Sequence, residues 1–300
     1  MIGVDLGGTK ILVGVVDRNG SVERRRESPT PLESQDELLR GVEEAVGEVL
    51  DDGVAAIGFG LPSTIDQRSG KAVISVNIPL ADLDLRSWMR DRFGLPVGID
   101  NDANAATLAE WAHGAGRGTR HMVMLTLGTG IGGGLILDGR PYRGAVGAGA
   151  ELGHIVTDLD GHPCQGACTG RGHLEVLASG HAASEAARET FGPAADAHRL
   201  VRLATEGDRT AIDLLAQLGH RLGAGIGTLV NVFNPELVVI GGGFSAAGEF
   251  LLGPARKTML REALPPARDL VRIVRAELGT AAGLLGAGLV AFEALDGAAP

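Results

Sequence analysis

Residues 5–20 read DLGGTKILVGVVDRNG: an aspartate near the end of an apolar strand, a glycine-rich turn, and a second β-branched run closing at Arg18-Asn19-Gly20. Residues 2–6 and 11–17 are therefore predicted to pair as a hairpin around Gly7-Gly8-Thr9-Lys10, with a third strand at 21–27. Residues 126–140, TLGTGIGGGLILDGR, repeat the scheme. A strand at 122–127 meets the turn Gly128-Thr129-Gly130, and its partner at 132–137 ends at Asp138-Gly139. One unit used twice predicts two related α/β halves with a cleft between them.

Working outward, Leu38, Leu39, Val42, Val46 and Val49 share one face of a helix over about 35–50. A buried strand is expected at 54–61, helices at 84–93 and 102–111, and a short strand at 97–99. Beyond the second hairpin, helices are predicted at 174–190, 196–205 and 208–232. A strand at 237–240 runs into Gly241-Gly242-Gly243, and a strand at 271–275 and a helix at 281–295 close the chain. Alternating strands and helices define an α/β protein. The expected division is a smaller domain at 1–112, with helix 281–295 packing back on it, and a larger domain at 113–280. The Gly/Ala/Pro tail from Gly297 is expected to fray.

The 300 residues suffice for two domains with sizeable cores. Forty-seven glycines, roughly twice the usual share, follow apolar runs without periodicity and imply tight turns and close backbone approaches. A net charge of −10 opposes a nucleic-acid surface, and Arg24-Arg25-Arg26, followed at once by Glu27, reads as a solvated strand end. No apolar run is long enough for a membrane span, so no membrane partner is expected. The start, MIGVDLGG, has no charged leader, which makes a cytoplasmic location the default.

A glycine turn straight after a strand exposes backbone N–H groups that can cradle phosphate oxygens. Three such turns occur, at 7–10, 128–130 and 241–243. Gly128, Gly130 and Gly133 fit a dinucleotide fingerprint on paper, but that motif must open a helix and here enters a strand. No Gly-x-x-x-x-Gly-Lys-Ser/Thr run exists. Asp5, at a strand end, could hold Mg²⁺ through water.

Residues 151–175, ELGHIVTDLDGHPCQGACTGRGHLE, hold both cysteines, Cys164 and Cys168, and the histidines His154, His162 and His173. Soft ligands gathered in a loop of Gly, Pro, Gln and Thr suit zinc, which takes mixed sulfur and imidazole ligands in a tetrahedron. A local disulfide, or two unrelated small side chains, are the alternatives.

Asp5-Leu6-Gly7-Gly8-Thr9-Lys10, Asp100-Asn101-Asp102-Ala103-Asn104-Ala105-Ala106, Glu151-Leu152-Gly153-His154 and the cysteine loop ending at Glu175 occur in that order. Together they resemble the ROK family of bacterial sugar kinases and sugar-responsive repressors, over nearly the whole chain. The resemblance implies two actin-like, ribonuclease-H-like α/β domains closing over ATP and a hexose, commonly in a homodimer or homotetramer. It implies that Asp102 is the general base toward the sugar's 6-hydroxyl and that Asn101 holds neighbouring hydroxyls. Glu151, His154 and Glu175 would bind the anomeric end, and Asn77 would line the pocket. The three turns would be two phosphate loops and an adenosine loop. A structural Zn²⁺ would be held by His154, Cys164, Cys168 and His173. His162 ranks below His173, because the family places a ligand two residues before the glutamate.

The chain departs from the family at this loop. The usual pattern has three cysteines, the first two separated by one residue. Here Cys164 and Cys168 lie two residues wider, and His173 replaces the third cysteine. Asp102 also suits a helix N-cap, a role compatible with catalysis. The expected activity is an ATP- and Mg²⁺-dependent hexokinase of the glucokinase type, with N-acetylmannosamine or fructose as competing substrates. A repressor of this family would place a DNA-binding helix-turn-helix module before the DxGGT motif, which here begins at residue 5. The intact Asp102 and glycine turns argue against a non-catalytic sugar-sensing regulator.

Overall fold

The computed structural model describes residues 1–75, 77–166 and 168–297, so the tail beyond Gly297 that was expected to fray lies outside the described residues. The chain divides into two compact units. Unit 1 comprises Met1–Arg117, Pro141–Ala150 and Leu278–Pro300, and unit 2 comprises Gly118–Arg140 and Glu151–Glu277. Residues 141–150, assigned from sequence to the larger C-terminal domain, thus belong to the first unit.

Unit 1 begins with the antiparallel strands β1 (Ile2–Leu6), β2 (Lys10–Val16) and β3 (Val22–Pro29). After α1 (Gln35–Gly47) comes β4 (Ile57–Leu61), then β5 (Ser63–Asp66), β6 (Lys71–Ser75) and β7 (Leu83–Asp84). Next are α2 (Leu85–Phe93), β8 (Val97–Asn101) and α3 (Asp102–His113). The main sheet runs β3-β2-β1-β4-β8, with β4 parallel to both β1 and β8. Strands β5–β7 form a separate three-stranded sheet that periodicity did not reveal. The arginine run lies on exposed β3, where Arg24, Arg25 and Arg26 pair with Asp51, Glu27 and Glu48.

Unit 2 repeats the arrangement. Strands β9 (Met122–Leu127), β10 (Ile131–Leu137) and β11 (Arg140–Pro141) precede the helices α4 (Leu174–Ala178), α5 (Gly180–Phe191), α6 (Ala197–Thr205) and α7 (Arg209–Phe233). Then come β12 (Leu237–Gly241), α8 (Glu249–Glu262), α9 (Ala267–Leu270) and β13 (Arg272–Arg275). Its sheet runs β11-β10-β9-β12-β13, an order matching that of unit 1, with β9 antiparallel to β10 as β1 is to β2, and β12 parallel to both β9 and β13 as β4 is to β1 and β8. The hairpin echo is thus two sheets of one topology, the ribonuclease-H-like pattern. The helix expected at 174–190 is instead two, broken at Ser179, whose extended backbone ends α4 and whose hydroxyl accepts the Ala182 N–H of α5.

The closing helix α10 (Ala282–Leu295) returns to unit 1. Gly14, Gly3, Gly58 and Gly98 stand side by side on β2, β1, β4 and β8. A Cβ on Gly3 would lie 2.5 Å from the Leu284 carbonyl oxygen. One on Gly58 would lie 2.5 Å from the Ala291 nitrogen, and one on Gly98 would lie 2.8 Å from Val290 Cγ1. Real Cβ atoms do not come so near. The row is a trough in which α10 rests backbone to backbone, and much of the glycine excess is explained by such approaches. The second unit has its own seam. Gly219, Gly223 and Gly227 on α7 face Pro254, Thr258 and Glu262 on α8, with room for no Cβ. Among the described residues, no helix is long and apolar enough to cross a membrane.

Candidate active site

In unit 1, Asp5 sits at the end of β1 with its carboxyl against Gly283 of α10, where a Cβ would approach Asp5 Cγ to 2.5 Å. Burial raises its pKa above the usual value, and the Lys10 charge opposes that shift. The following turn closes with the Gly7 N–H donating to the Lys10 carbonyl at 2.9 Å, and Thr30 Oγ1 donates to the Gly7 carbonyl at 2.7 Å. Gly8 lies against Asn77, so this turn and the expected pocket residue are neighbours. The Lys10 ammonium pairs with Glu27 at 3.0 Å across β2 and β3.

The β8–α3 junction carries the expected base. Asn101, rather than Asp102, is the N-cap: its Oδ1 accepts the N–H groups of Ala103 at 2.9 Å and Asn104 at 3.4 Å. Its Nδ2 donates to the Ser63 carbonyl at 3.3 Å. Asp102 is the first helical residue; it is exposed, and its Oδ1 accepts the Ala103 N–H at 2.8 Å. A short side chain fixed by its neighbour's amide at a helix start presents a carboxylate with little freedom.

In unit 2, the turns at 128–130 and 241–243 come together on one cavity of about 510 Å³, lined by Gly128, Thr129, Gly180, His181, Gly243 and Phe244. The Gly128 N–H closes on the Gly130 carbonyl at 2.9 Å, echoing the first hairpin. Gly242 has φ +78° and lies hard against the Leu127 backbone, a position open only to glycine. The Gly180 N–H donates to the Gly128 carbonyl at 2.8 Å, so the start of α5 frames the cavity. Gly180, His181, Ser184 and Phe244 were not found from sequence. The Ser179-Gly180 pair inside a helical pattern was the signal for the first three, since serine before a helix start reads as a cap.

The Glu151-Leu152-Gly153-His154 segment forms a short 3₁₀ turn over Leu152–His154, and Gly153 lies against Ile131, just beyond the 128–130 turn. Burial raises the Glu151 pKa; the like charge of Glu175 adds to the shift and His154 opposes it. Glu175 Oε2 accepts the Ile131 N–H at 2.8 Å, while Oε1 lies 3.9 Å from Cys164 Sγ. This one carboxylate therefore links the glycine turn to the cysteine loop.

Backbone bridges Val156–His173 and Pro163–Arg171 fold that loop on itself and gather His154, Cys164, Cys168 and His173, whose ligand atoms lie within 4.8 Å of one another. His162 is exposed and outside this cluster. Both cysteines are free thiols, which removes the local disulfide. The two Nδ1 atoms are 3.1 Å apart; Cys164 Sγ is 3.6 Å from His154 Nδ1, and Cys168 Sγ is 3.7 Å from His173 Nδ1. Zinc bonds of about 2.3 Å to sulfur and about 2.0–2.1 Å to nitrogen set tetrahedral edges of about 3.6 Å for S···N and about 3.3 Å for N···N. The donor set fits that tetrahedron. Burial, with the Cys168 hydrogen bond second, pushes the Cys164 thiol up to about 11, so metal binding there must release a proton.

Comparison with known proteins agrees with these features. The ROK family model matches residues 1–294. A glucokinase of Thermotoga maritima is 37% identical over 99% of this chain and 98% of that protein. A ROK family glucokinase from Streptomyces griseus, solved in complex with glucose and AMPPNP, superposes with a TM-score of 0.84 at 34% identity, covering 98% of this chain and 99% of that one. A ROK hexokinase from Thermus thermophilus gives a TM-score of 0.84 at 37% identity over 99% of both chains. Its two sheets are thus of the actin-like, ribonuclease-H-like α/β class, and with a family match running from Met1 to residue 294 the chain belongs to the ROK family.

Proposed function

We propose that this protein is an ATP-dependent hexose kinase of the glucokinase type, transferring the γ-phosphoryl group of ATP to the 6-hydroxyl of glucose. The observation that carries the reading is the full-length likeness to a glucokinase solved with glucose and AMPPNP. In the reaction the 6-hydroxyl oxygen attacks the γ-phosphorus, its proton passes to the Asp102 carboxylate, and ADP leaves. Phosphoryl transfer asks mainly for alignment, charge neutralisation and a base beside the attacking hydroxyl. Asn77, Asn101, Glu151, His154 and Glu175 supply the donors and acceptors that a polyol requires. For Asn101, whose Oδ1 caps α3 and whose Nδ2 donates one hydrogen to the Ser63 carbonyl, the second Nδ2–H remains for the sugar.

Gly7, Gly8, Thr9 and Lys10 and Gly128, Thr129 and Gly130 serve as phosphate loops, and Gly241, Gly242 and Gly243 as the adenosine loop. The cavity between the latter two turns supports that assignment. Asp5 would hold Mg²⁺ through water, where the ion neutralises phosphate charge. His154, Cys164, Cys168 and His173 would hold one structural Zn²⁺, a closed shell whose role is to set the His154 ring so that its Nε2 faces a sugar hydroxyl. The protein is expected to act in the cytoplasm as a homodimer or homotetramer, the assembly usual for the family.

Coupled ADP release across glucose, fructose and N-acetylmannosamine tests the reading, with glucose expected to give the highest kcat/KM. A different preferred hexose reassigns the substrate, and no sugar-dependent release from any of them refutes the kinase. Asp102→Asn keeps the shape but cannot take the proton, so turnover is expected to fall about 10²–10⁴-fold with sugar binding retained in calorimetry. Unchanged turnover would remove Asp102 from the mechanism.

A further inference from the structure

Arg143 is a largely enclosed cation that the proposed chemistry leaves unused, with its side chain 13% exposed. Its Nε donates to Asp100 Oδ2 at 2.6 Å and its Nη2 to Glu293 Oε2 at 2.6 Å. Asp100 is 1% exposed and stands two residues before Asp102. Its second oxygen, Oδ1, accepts the Asn101 N–H at 2.8 Å and the Asn104 Nδ2–H at 3.1 Å. The carboxylate therefore grips the β8–α3 junction on one side and is itself gripped by a guanidinium on the other. A buried carboxylate that loses its partner cannot stay as it was; it takes up a proton or turns toward water, and either releases the junction.

A second fastening lies beside the first. The Gln67 side-chain amide donates to the Ile99 carbonyl at 2.7 Å, and the Gln67 backbone N–H donates to the Val146 carbonyl at 2.8 Å. Gly147 comes so close that a Cβ would lie 2.7 Å from the Ile65 carbonyl oxygen. Segment 141–150 is thus a strap bound across the strand end that leads into the base.

We propose that Arg143 is a positioning residue for phosphoryl transfer: through Asp100 it fixes the first turn of α3 and so the aim of the Asp102 carboxylate. This rests on the reading of Asp102 as the base. Reaction geometry is unforgiving, and a misplacement of about 1 Å can cost about 10²-fold. Neutralising Arg143 should therefore act on kcat and leave the nucleotide contacts alone.

The test is Arg143→Met and Arg143→Lys, each in the native chain and in the Asp102→Asn background, with folding checked by thermal melt. In the native chain Arg143→Met is expected to lower kcat about 10–100-fold with the KM for ATP unchanged. Arg143→Lys should recover part of the loss, because one ammonium can hold Asp100 but cannot reproduce the fork to both carboxylates. In the Asp102→Asn background the same substitutions should change residual turnover less than about threefold, since no base remains to be aimed. Equal losses in the two backgrounds, or native kcat in Arg143→Met, would overturn the proposal. If Arg143→Met does not fold, Arg143→Lys carries the same comparison: a kcat loss confined to the Asp102 background supports it, and native kcat or an equal loss in both refutes it. Native turnover in Asp102→Asn alone would instead refute the base assignment, so the two failures remain distinct.

Discussion

Glu175 offers two substitutions that separate its two tasks. One oxygen accepts the N–H of Ile131, a residue 4% exposed, and the other end is the proposed acceptor for hydroxyls at the anomeric end of the sugar. A hydrogen bond to a charged group is worth about 1.5–3 kcal/mol and a neutral one about 0.5–1.5 kcal/mol. In Glu175→Gln the amide oxygen can still accept the Ile131 N–H, so the fold should lose only about 1 kcal/mol, a fall in Tm of roughly 2–4 °C for a protein of this size. The same charge is lost toward the sugar, where about 1.4 kcal/mol raises the glucose Kd about tenfold. Glu175→Ala removes the acceptor altogether, and a buried orphan N–H costs about 1–3 kcal/mol in addition to the lost bond. The glycine turn at 128–130 should loosen with it, and the KM for ATP should rise only in this variant. Calorimetry with glucose, thermal melts and ATP kinetics on both variants supply the numbers. Zinc content measured alongside excludes an indirect loss of metal through Cys164. Native glucose affinity in Glu175→Gln would refute the sugar contact, and a native Tm in Glu175→Ala would refute any weight for the Ile131 bond.

Four further substitutions probe other parts of the molecule. Gly58→Ala pushes a methyl against the α10 backbone, where no side-chain rotation can relieve it, and is expected to cost about 3 kcal/mol, the upper end of ordinary overpacking, in denaturant unfolding. Less than about 1 kcal/mol would mean that the helix is not seated in the trough. Asp5 titrates above the ordinary 3.8 because burial disfavours its charge, so the fold is penalised as pH rises through 3.8 toward the raised native value, and stays penalised above it. Asp5→Asn should accordingly be more stable than the native protein at neutral pH while losing turnover, with the gap in denaturant midpoint closing as pH falls toward 3.8; a gap of the opposite sign would contradict the burial argument. Cys168→Ser should lower both zinc content and glucose affinity, and His162→Ala neither; zinc-free protein purified without chelator that binds glucose normally would dismiss the metal.

Much of the α/β pattern was readable because hairpins and amphipathic helices leave local marks. The echo of residues 5–20 in 126–140 anticipated two sheets of one strand order. Where local signals mislead, sequence reading failed. Helix α8 carries Pro254 in its interior, which reads as a breaker, and it is tolerated against the glycine seam of α7. Serine and glycine at 179–180 hid a helix break within an otherwise periodic stretch. The small sheet of β5–β7 is made of strands too short to show alternation. At the site, His154, Cys164, Cys168 and His173 were found through their loop and the family resemblance, and the fold brings them together. Arg143 was invisible: it belongs to no motif, and its partners Asp100 and Glu293 lie 43 and 150 residues away along the chain.

The glycine trough also has a bearing on synthesis. The N-terminal strands of unit 1 leave the ribosome well before the helix that fills its trough, and all of unit 2 is made in between. Until Ala282–Leu295 emerges, β1, β4 and β8 can pair with one another but present an empty furrow with no side chains of their own to close it. A nascent chain in that condition exposes apolar surface beside a flat strip of backbone, the kind of surface that attracts stray strands and chaperones. Truncation at the C-terminus should therefore be felt first at the N-terminal end of the protein, and a ribosome-stalled chain ending before residue 282 should remain protease-sensitive in Met1–Arg117.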